Sequence, residues 1–105
     1  MKGRRIPVIL SGCQFGLFGQ PGDYCGPLMG FTGDVPCVFF LKPNSRDADA
    51  PKRARGVQHV VSPPHVFTEE PDGTLTITAS ISDLAGPNSV SDGWHGWLTK
   101  GEWHK

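Results

Sequence analysis

The sequence predicts a small, mainly β domain, an antiparallel sandwich or partly open barrel with long loops rich in glycine and proline. Glycine (14) and proline (10) together make up nearly a quarter of the 105 residues, and both disfavour long helices. Apolar runs of strand length lie between these breakers, and one segment near residue 75 alternates apolar and polar side chains, as a half-buried strand does. The length is that of a single domain, residues 1–105.

The first predicted strand is the apolar stretch from Ile6 to Leu10. Residues 11–34 follow, and their seven glycines and two prolines predict one long irregular loop. Loops of this length in a small domain are often functional. The loop also carries four aromatic residues, which suggests that it is fixed on the core or on a partner: Phe15, Phe18, Tyr24 and Phe31.

The segment from Val35 to Leu41 is a dense apolar run that predicts a second strand. Pro36 fits the beginning of this strand or an edge position, because proline has no N–H for the sheet. Residues 42–56 form the most polar segment and predict an exposed loop. Its basic residues stand beside two aspartates, which favours a solvated loop over a phosphate site: Lys52, Arg53, Arg55, Asp47 and Asp49.

Two further strands, Val57 to Val61 and Val66 to Glu70, are separated by a Pro-Pro pair. The sequence Pro-Asp-Gly at 71–73 predicts a tight turn, since proline presets φ and glycine accepts a left-handed conformation. Thr74 to Ile81 then alternates as a half-buried antiparallel strand. Its predicted inner face consists of Leu75, Ile77, Ala79 and Ile81.

After a loop over 82–92, the segment Gly93 to Trp103 predicts a last hairpin that turns at Thr99-Lys100-Gly101. Alternation in its first strand places two residues, His95 and Trp97, on the face opposite to Trp94, Gly96 and Leu98. The hairpin holds all three tryptophans of the chain. Either they cap a core poor in aliphatic residues, or one or two of them stand exposed beside His95 and anchor a partner.

Lysine plus arginine and aspartate plus glutamate both number 10, so the formal net charge is zero. This balance argues against nucleic acid as the main partner, because phosphate binding needs a basic excess. It favours self-association or a protein partner. No apolar run reaches the length of a membrane span, and the start has no secretory pattern, so we expect a cytoplasmic protein. Three cysteines are an odd number, and we expect free thiols.

Two kinds of chemistry have candidate residues. A thiol-dependent hydrolase would use Cys25 as nucleophile, His95 as base and Asp92 to orient that base. A zinc site would have to be assembled in space, because the cysteines and histidines have no chelating spacing. Its candidate ligands are Cys37, His59, His65 and His95. Our prediction is that no cofactor is required.

The segment from His65 to the C-terminus resembles small proteins encoded by phages, prophages and some bacterial genomes. The resemblance lies in an aromatic strand, a turn, a Thr-rich strand ending in Ser-Ile, and a His-aromatic hairpin with a glycine turn: Val66-Phe67, Pro71-Asp72-Gly73, Thr78 to Ile81 and His95 to Gly101. Some proteins of similar pattern are suspected peptidases of bacterial ubiquitin-like operons, in which a Cys-His pair opens the hairpin. Trp94 stands at that cysteine position here.

The leading hypothesis is a non-enzymatic phage-type protein that acts by protein–protein contact, as a small virion or assembly component. Its predicted apolar anchors are Phe15, Phe18, Trp97 and Trp103. One alternative is a small metal- or thiol-dependent hydrolase centred on His95. The other is an inhibitor of a host enzyme, which would bind as a monomer.

Overall fold

The computed structural model describes residues 1–10, 12–14, 17–29, 35–43, 57–83 and 94–105. These residues form ten strands and no helix: β1 (Arg5–Ile6), β2 (Val8–Ile9), β3 (Gly12–Cys13), β4 (Tyr24–Leu28), β5 (Cys37–Leu41), β6 (Val57–Val61), β7 (Val66–Glu69), β8 (Leu75–Asp83), β9 (Trp94–Thr99) and β10 (Glu102–His104). The predicted mainly β fold is confirmed.

The strands are arranged in two four-stranded sheets and one small hairpin. The N-terminal sheet has the order β1-β4-β5-β6, and the C-terminal sheet has the order β10-β9-β8-β7. Strands β2 and β3 pair only with each other in the described part of the chain. Neighbouring strands are antiparallel except β1 and β4, which run parallel. The arrangement is compatible with a small β-sandwich.

The main core lies between the two sheets. Trp103 is at its centre, with its ring centroid 5.3 Å from that of Phe40 and 5.4 Å from that of Trp94. The indole Nε1 of Trp103 also donates a buried hydrogen bond to the carbonyl oxygen of Gly22, at 2.7 Å. The buried members of this core are Tyr24, Val38, Phe40, Val60, Leu75, Ile77, Ile81, Trp94, Leu98 and Trp103.

A second apolar cluster lies on the other face of the N-terminal sheet. Every residue of β5 is buried, because Val38 and Phe40 join the main core while their neighbours join this second cluster. A strand covered on both faces reads as a continuous apolar run, which explains the dense sequence of this segment. The buried members of the second cluster are Ile6, Phe18, Cys25, Cys37, Phe39 and Leu41.

The N-terminal segment links the two sheets along one side of the sandwich. Lys2 forms an antiparallel bridge with Glu102 of β10, and the backbone N–H of Trp103 donates to the carbonyl of Met1 at 2.7 Å. A few residues later, β1 pairs with β4 of the other sheet. The first six residues therefore close one side of the sandwich.

The N-terminal third differs from the sequence-based expectation. The predicted strand Ile6 to Leu10 is divided at Pro7, and its two halves pair with different strands, because proline cannot donate to a ladder. The predicted loop 11–34 contains β3 and β4. The predicted exposed loop 42–56 begins with Lys42, which is 1% exposed, and its residues 44–56 lie outside the described part of the chain.

The later strands follow the prediction closely, with one irregularity. Strand β8 pairs with β9 at Ile77 and again at Ile81, and the register shifts between these two positions. Ala79 lies in this interval with a φ of 74° and is exposed. Its predicted place on the inner face is therefore wrong, because the bulge turns it outward.

Both predicted turns are present, although the second is one residue shorter than predicted, because Thr99 belongs to β9. In the turn at 71–73, Gly73 has a φ of 87°, and its backbone N–H donates to the carbonyl of Glu70 at 3.0 Å. The last hairpin turns at Lys100 and Gly101, whose φ angles are 48° and 75°, as a two-residue hairpin turn requires. The loop predicted over 82–92 begins later than expected, because β8 extends through residue 83. Residues 84–92 are outside the described ranges.

Within the described ranges, no helix has the length and apolar character that crossing a membrane requires.

Candidate functional site: an exposed aromatic patch beside a cleft

Strand β9 alternates between a buried and an exposed face, as its sequence predicts. Trp94, Gly96 and Leu98 are buried, whereas His95 and Trp97 are exposed. Glycine is needed at position 96 on the inner face, because a Cβ on Gly96 would collide with the carbonyl oxygen of His104 and with the Trp94 ring. Because Gly96 has no side chain, the Trp94 ring packs against the inner face of β9. His95 and Trp97 lie on the opposite, exposed face.

Three aromatic rings form one continuous surface on the outer face of the C-terminal sheet. Trp97 is 38% exposed and lies opposite His104 in the β9–β10 register. These two rings are stacked, with centroids 6.0 Å apart and planes inclined by 21°. The His95 ring meets Trp97 edge to face, with a centroid distance of 5.4 Å. We call this surface, made of His95, Trp97 and His104, the His-Trp-His patch.

The patch is held in position by its own strand pair. The Nε2 atom of His104 lies 3.0 Å from the hydroxyl of Thr99, which fixes the imidazole beside Trp97. Both histidines are exposed. The patch therefore combines a rigid apolar ring with two groups that can donate or accept hydrogen bonds.

A cleft adjoins the patch and shares His104 with it. Its volume is about 290 Å³. Two of its walls are the core tryptophans Trp94 and Trp103, which are 5% and 2% exposed. The remaining lining residues are Met1, Pro43, His104 and Lys105.

Of the four predicted anchors, the structure places Trp97 at the surface and buries two others. Trp103 is 2% exposed and Phe18 is 1% exposed, so neither side chain lies at the surface where an anchor is expected. Trp103 is needed between the sheets, and Phe18 packs in the second cluster. Phe15 lies outside the described residues.

The proposed catalytic set does not assemble. Cys25 is fully buried and forms a disulfide with Cys13, so it is not a free nucleophile, and the expectation of free thiols fails for these two residues. Cys25 belongs to the N-terminal sheet, whereas His95 lies on the outer face of the other sheet. The two residues cannot come within hydrogen-bond reach, and Asp92 is outside the described ranges.

The four candidate zinc ligands are also separated. Cys37 is a buried free thiol whose pKa is raised by burial, which opposes the thiolate that zinc binds. The His59 ring packs against Phe39, with centroids 5.9 Å apart. His65 Nε2 lies 3.1 Å from a carbonyl oxygen of β8, and His95 belongs to the patch. Among the described residues, no group of three or more His, Cys, Asp or Glu side chains could hold a metal ion.

Two features of the site are not among the sequence-based predictions. His104 was not a candidate, although a two-residue turn at Lys100-Gly101 places it opposite Trp97. The predicted turn at 99–101 includes Thr99, which the structure places in β9, so the prediction did not lead to this register. The pairing of Cys13 with Cys25 had no such signal, because the two cysteines meet only when the hairpin β2–β3 folds onto β4.

Comparison with protein families, with curated proteins and with solved structures finds no match to this chain. The geometry of the patch and the cleft is therefore the basis on which a function can be proposed.

Proposed function

We propose that this protein acts by protein–protein contact through the His-Trp-His patch and the adjoining cleft, and not by catalysis. The observation that carries the proposal is the exposed Trp97, which is held between two imidazole rings on the outer face of the C-terminal sheet. Tryptophan is among the residues that most often dominate binding energy at protein interfaces. A partly exposed indole that is already ordered loses little conformational freedom when a partner covers it.

The cleft is large enough to receive one protein side chain. Pockets for small molecules commonly measure about 300–1,000 Å³, and this cleft of about 290 Å³ lies at the lower end. A single large apolar side chain would fill much of such a volume. The exposed Trp97 ring and the neighbouring cleft suit a partner that covers the ring and inserts one of its side chains into the cleft.

Self-association is the first form of contact that we propose. The formal net charge is zero, so long-range repulsion between copies is weak. A role as a small virion or assembly component of phage type, in the host cytoplasm or in the particle, is the narrower form of this proposal. It is supported by the resemblance of the C-terminal segment and by this charge balance.

Sedimentation velocity of three purified proteins over a range of concentrations tests the proposal. We expect the wild type to form oligomers and Trp97→Ala to lose at least tenfold in association constant, since a tryptophan at an interface centre contributes about 2 kcal/mol or more. Val66→Ala is the matched control, because Val66 is also exposed, at 56%, on the edge strand β7 of the same sheet. It should associate as the wild type does.

Two results would contradict parts of this account. If Trp97→Ala forms the same oligomers as the wild type, the His-Trp-His patch is not the contact surface. A wild type that stays monomeric at all concentrations would remove the assembly role and favour the inhibitor of a host enzyme.

A further inference from the structure

The outer face of the N-terminal sheet is apolar and needs a cover. Its side chains Cys37, Phe39 and Leu41 are 0%, 6% and 1% exposed, although they point away from the other sheet. The cover consists of the segment that carries Phe18, which is buried in this cluster, and of the hairpin β2–β3, whose Cys13 packs against the cluster. We call this arrangement the N-terminal cover.

The two parts of the cover are attached in different ways. Asp23, which is fully buried, holds the Phe18 segment, because its carboxylate accepts the backbone N–H groups of Gly19 and Gln20 at 2.8 and 3.0 Å. Arg4 also donates to this carboxylate at 2.8 Å. This part of the cover is thus fixed by a polar network of its own.

The hairpin β2–β3 is held by fewer interactions than the Phe18 segment. Each of its strands is two residues long, and isolated hairpins are at best marginally stable in water. Its apolar side chains are largely turned to solvent, with Val8, Ile9 and Leu10 exposed by 42%, 40% and 95%. Burial of these side chains therefore contributes little to keeping the hairpin in place.

A covalent bond supplies the missing attachment. The disulfide joins Cys13 in β3 to Cys25 in β4. Cys13 is partly exposed, while Cys25 is fully buried in the second cluster. Both strands of the hairpin also contact β4. The disulfide is therefore a covalent tie between the hairpin and the sheet, and its Cys13 end is the one nearer to solvent.

We propose that the Cys13–Cys25 disulfide is a redox-operated clasp, whose reduction releases the β2–β3 hairpin and opens the second apolar cluster to solvent. The reductant is a dithiol. One of its thiolates attacks Cys13 Sγ, and Cys25 leaves as a thiolate that takes up a proton. The second thiol of the reductant then resolves the mixed disulfide, so that two cysteine thiols form and the dithiol becomes a disulfide.

The buried Cys37 provides a reporter for this opening. Its thiol is free in the closed protein and lies in the cluster beneath the cover. We expect Cys37 to resist alkylation by iodoacetamide in the oxidised protein. After reduction with dithiothreitol under native conditions, mass spectrometry of the labelled protein should show all three cysteines alkylated, with Cys37 reacting at least tenfold faster than before.

Hydrogen exchange then distinguishes local release from general unfolding. The amides of Val8, Ile9, Gly12 and Cys13, which lie in the β2–β3 pair, should lose their protection on reduction. The amides of Gly19 and Gln20 should stay protected by Asp23, and so should β8 and β9. Cys13→Ser should reproduce the opened pattern without reductant, and Cys37→Ala, which keeps the clasp, should behave as the oxidised wild type.

Three outcomes would overturn the clasp. Cys37 could stay unreactive after complete reduction of the disulfide, or the amides of β2 and β3 could keep their exchange rates. Protection could also collapse together in β8 and β9, which would make the disulfide a support of the entire fold.

Discussion

Replacement of Trp103 tests the division between the core tryptophans and the exposed one. In the structure this side chain contacts Phe40 and Trp94 in the main core and is 2% exposed. Truncation of a buried tryptophan to alanine costs about 3–5 kcal/mol. A domain of this size has a total stability of about 5–15 kcal/mol, so Trp103→Ala could leave little folded protein. Trp103→Phe is therefore the variant to measure.

Two losses set the expected size of the effect of Trp103→Phe. The carbonyl oxygen of Gly22 loses the indole N–H that donates to it at 2.7 Å, and a buried polar group without its partner costs about 1–3 kcal/mol. The smaller ring also leaves a cavity, which adds about 1 kcal/mol. The free energy of unfolding should fall by about 2–4 kcal/mol.

Urea denaturation followed by far-ultraviolet circular dichroism measures this change independently of tryptophan fluorescence. With a slope of about 1–3 kcal/mol per molar urea, the midpoint for Trp103→Phe should move down by about 0.7–4 M. Trp97→Ala is the comparison, and its exposed ring should cost less than about 1 kcal/mol. An equal loss in the two variants, or a loss below about 1 kcal/mol for Trp103→Phe, would refute the assignment.

Two further predictions concern backbone geometry and charge. Gly26→Ala should lower the free energy of unfolding by about 2 kcal/mol, because φ is 128° and a Cβ would lie 2.8 Å from the carbonyl oxygen of Cys37; Gly73→Ala, with open space around it, should lose less in the same urea titration. The hydrogen bond from Arg5 lowers the pKa of Glu69, so its stabilising effect is present above the unfolded pKa and is lost as pH falls through the folded value. The urea midpoint of Glu69→Gln should therefore change less between pH 6 and pH 3 than that of the wild type, and an identical pH dependence would contradict the ion pair.

The sequence predicted the C-terminal half better than the N-terminal half, for physical reasons. The alternation in β9 and the turn at 100–101 are local signals, and both lead directly to Trp97 on an exposed face. The N-terminal strands are two residues long, too short for periodicity to appear. Their pairing depends on contacts between residues distant in sequence.

The anchor residues show the same limit. Trp97 and Trp103 belong to one hairpin, and composition alone does not distinguish the exposed tryptophan from the buried one. Their burial is decided by register, because Trp103 pairs with the inward-facing Leu98 while Trp97 pairs with His104. The cysteine pairing likewise depends on the fold of the hairpin onto β4, which no spacing in the sequence reports.

The most direct test of the proposed contact function is a native mass spectrum of the wild type and of Trp97→Ala at the same concentration, since it reports subunit number and bound metal together. We predict a metal-free oligomer for the wild type and a monomer for Trp97→Ala. A wild-type monomer that carries one zinc ion would contradict the account and point to a metal-dependent function.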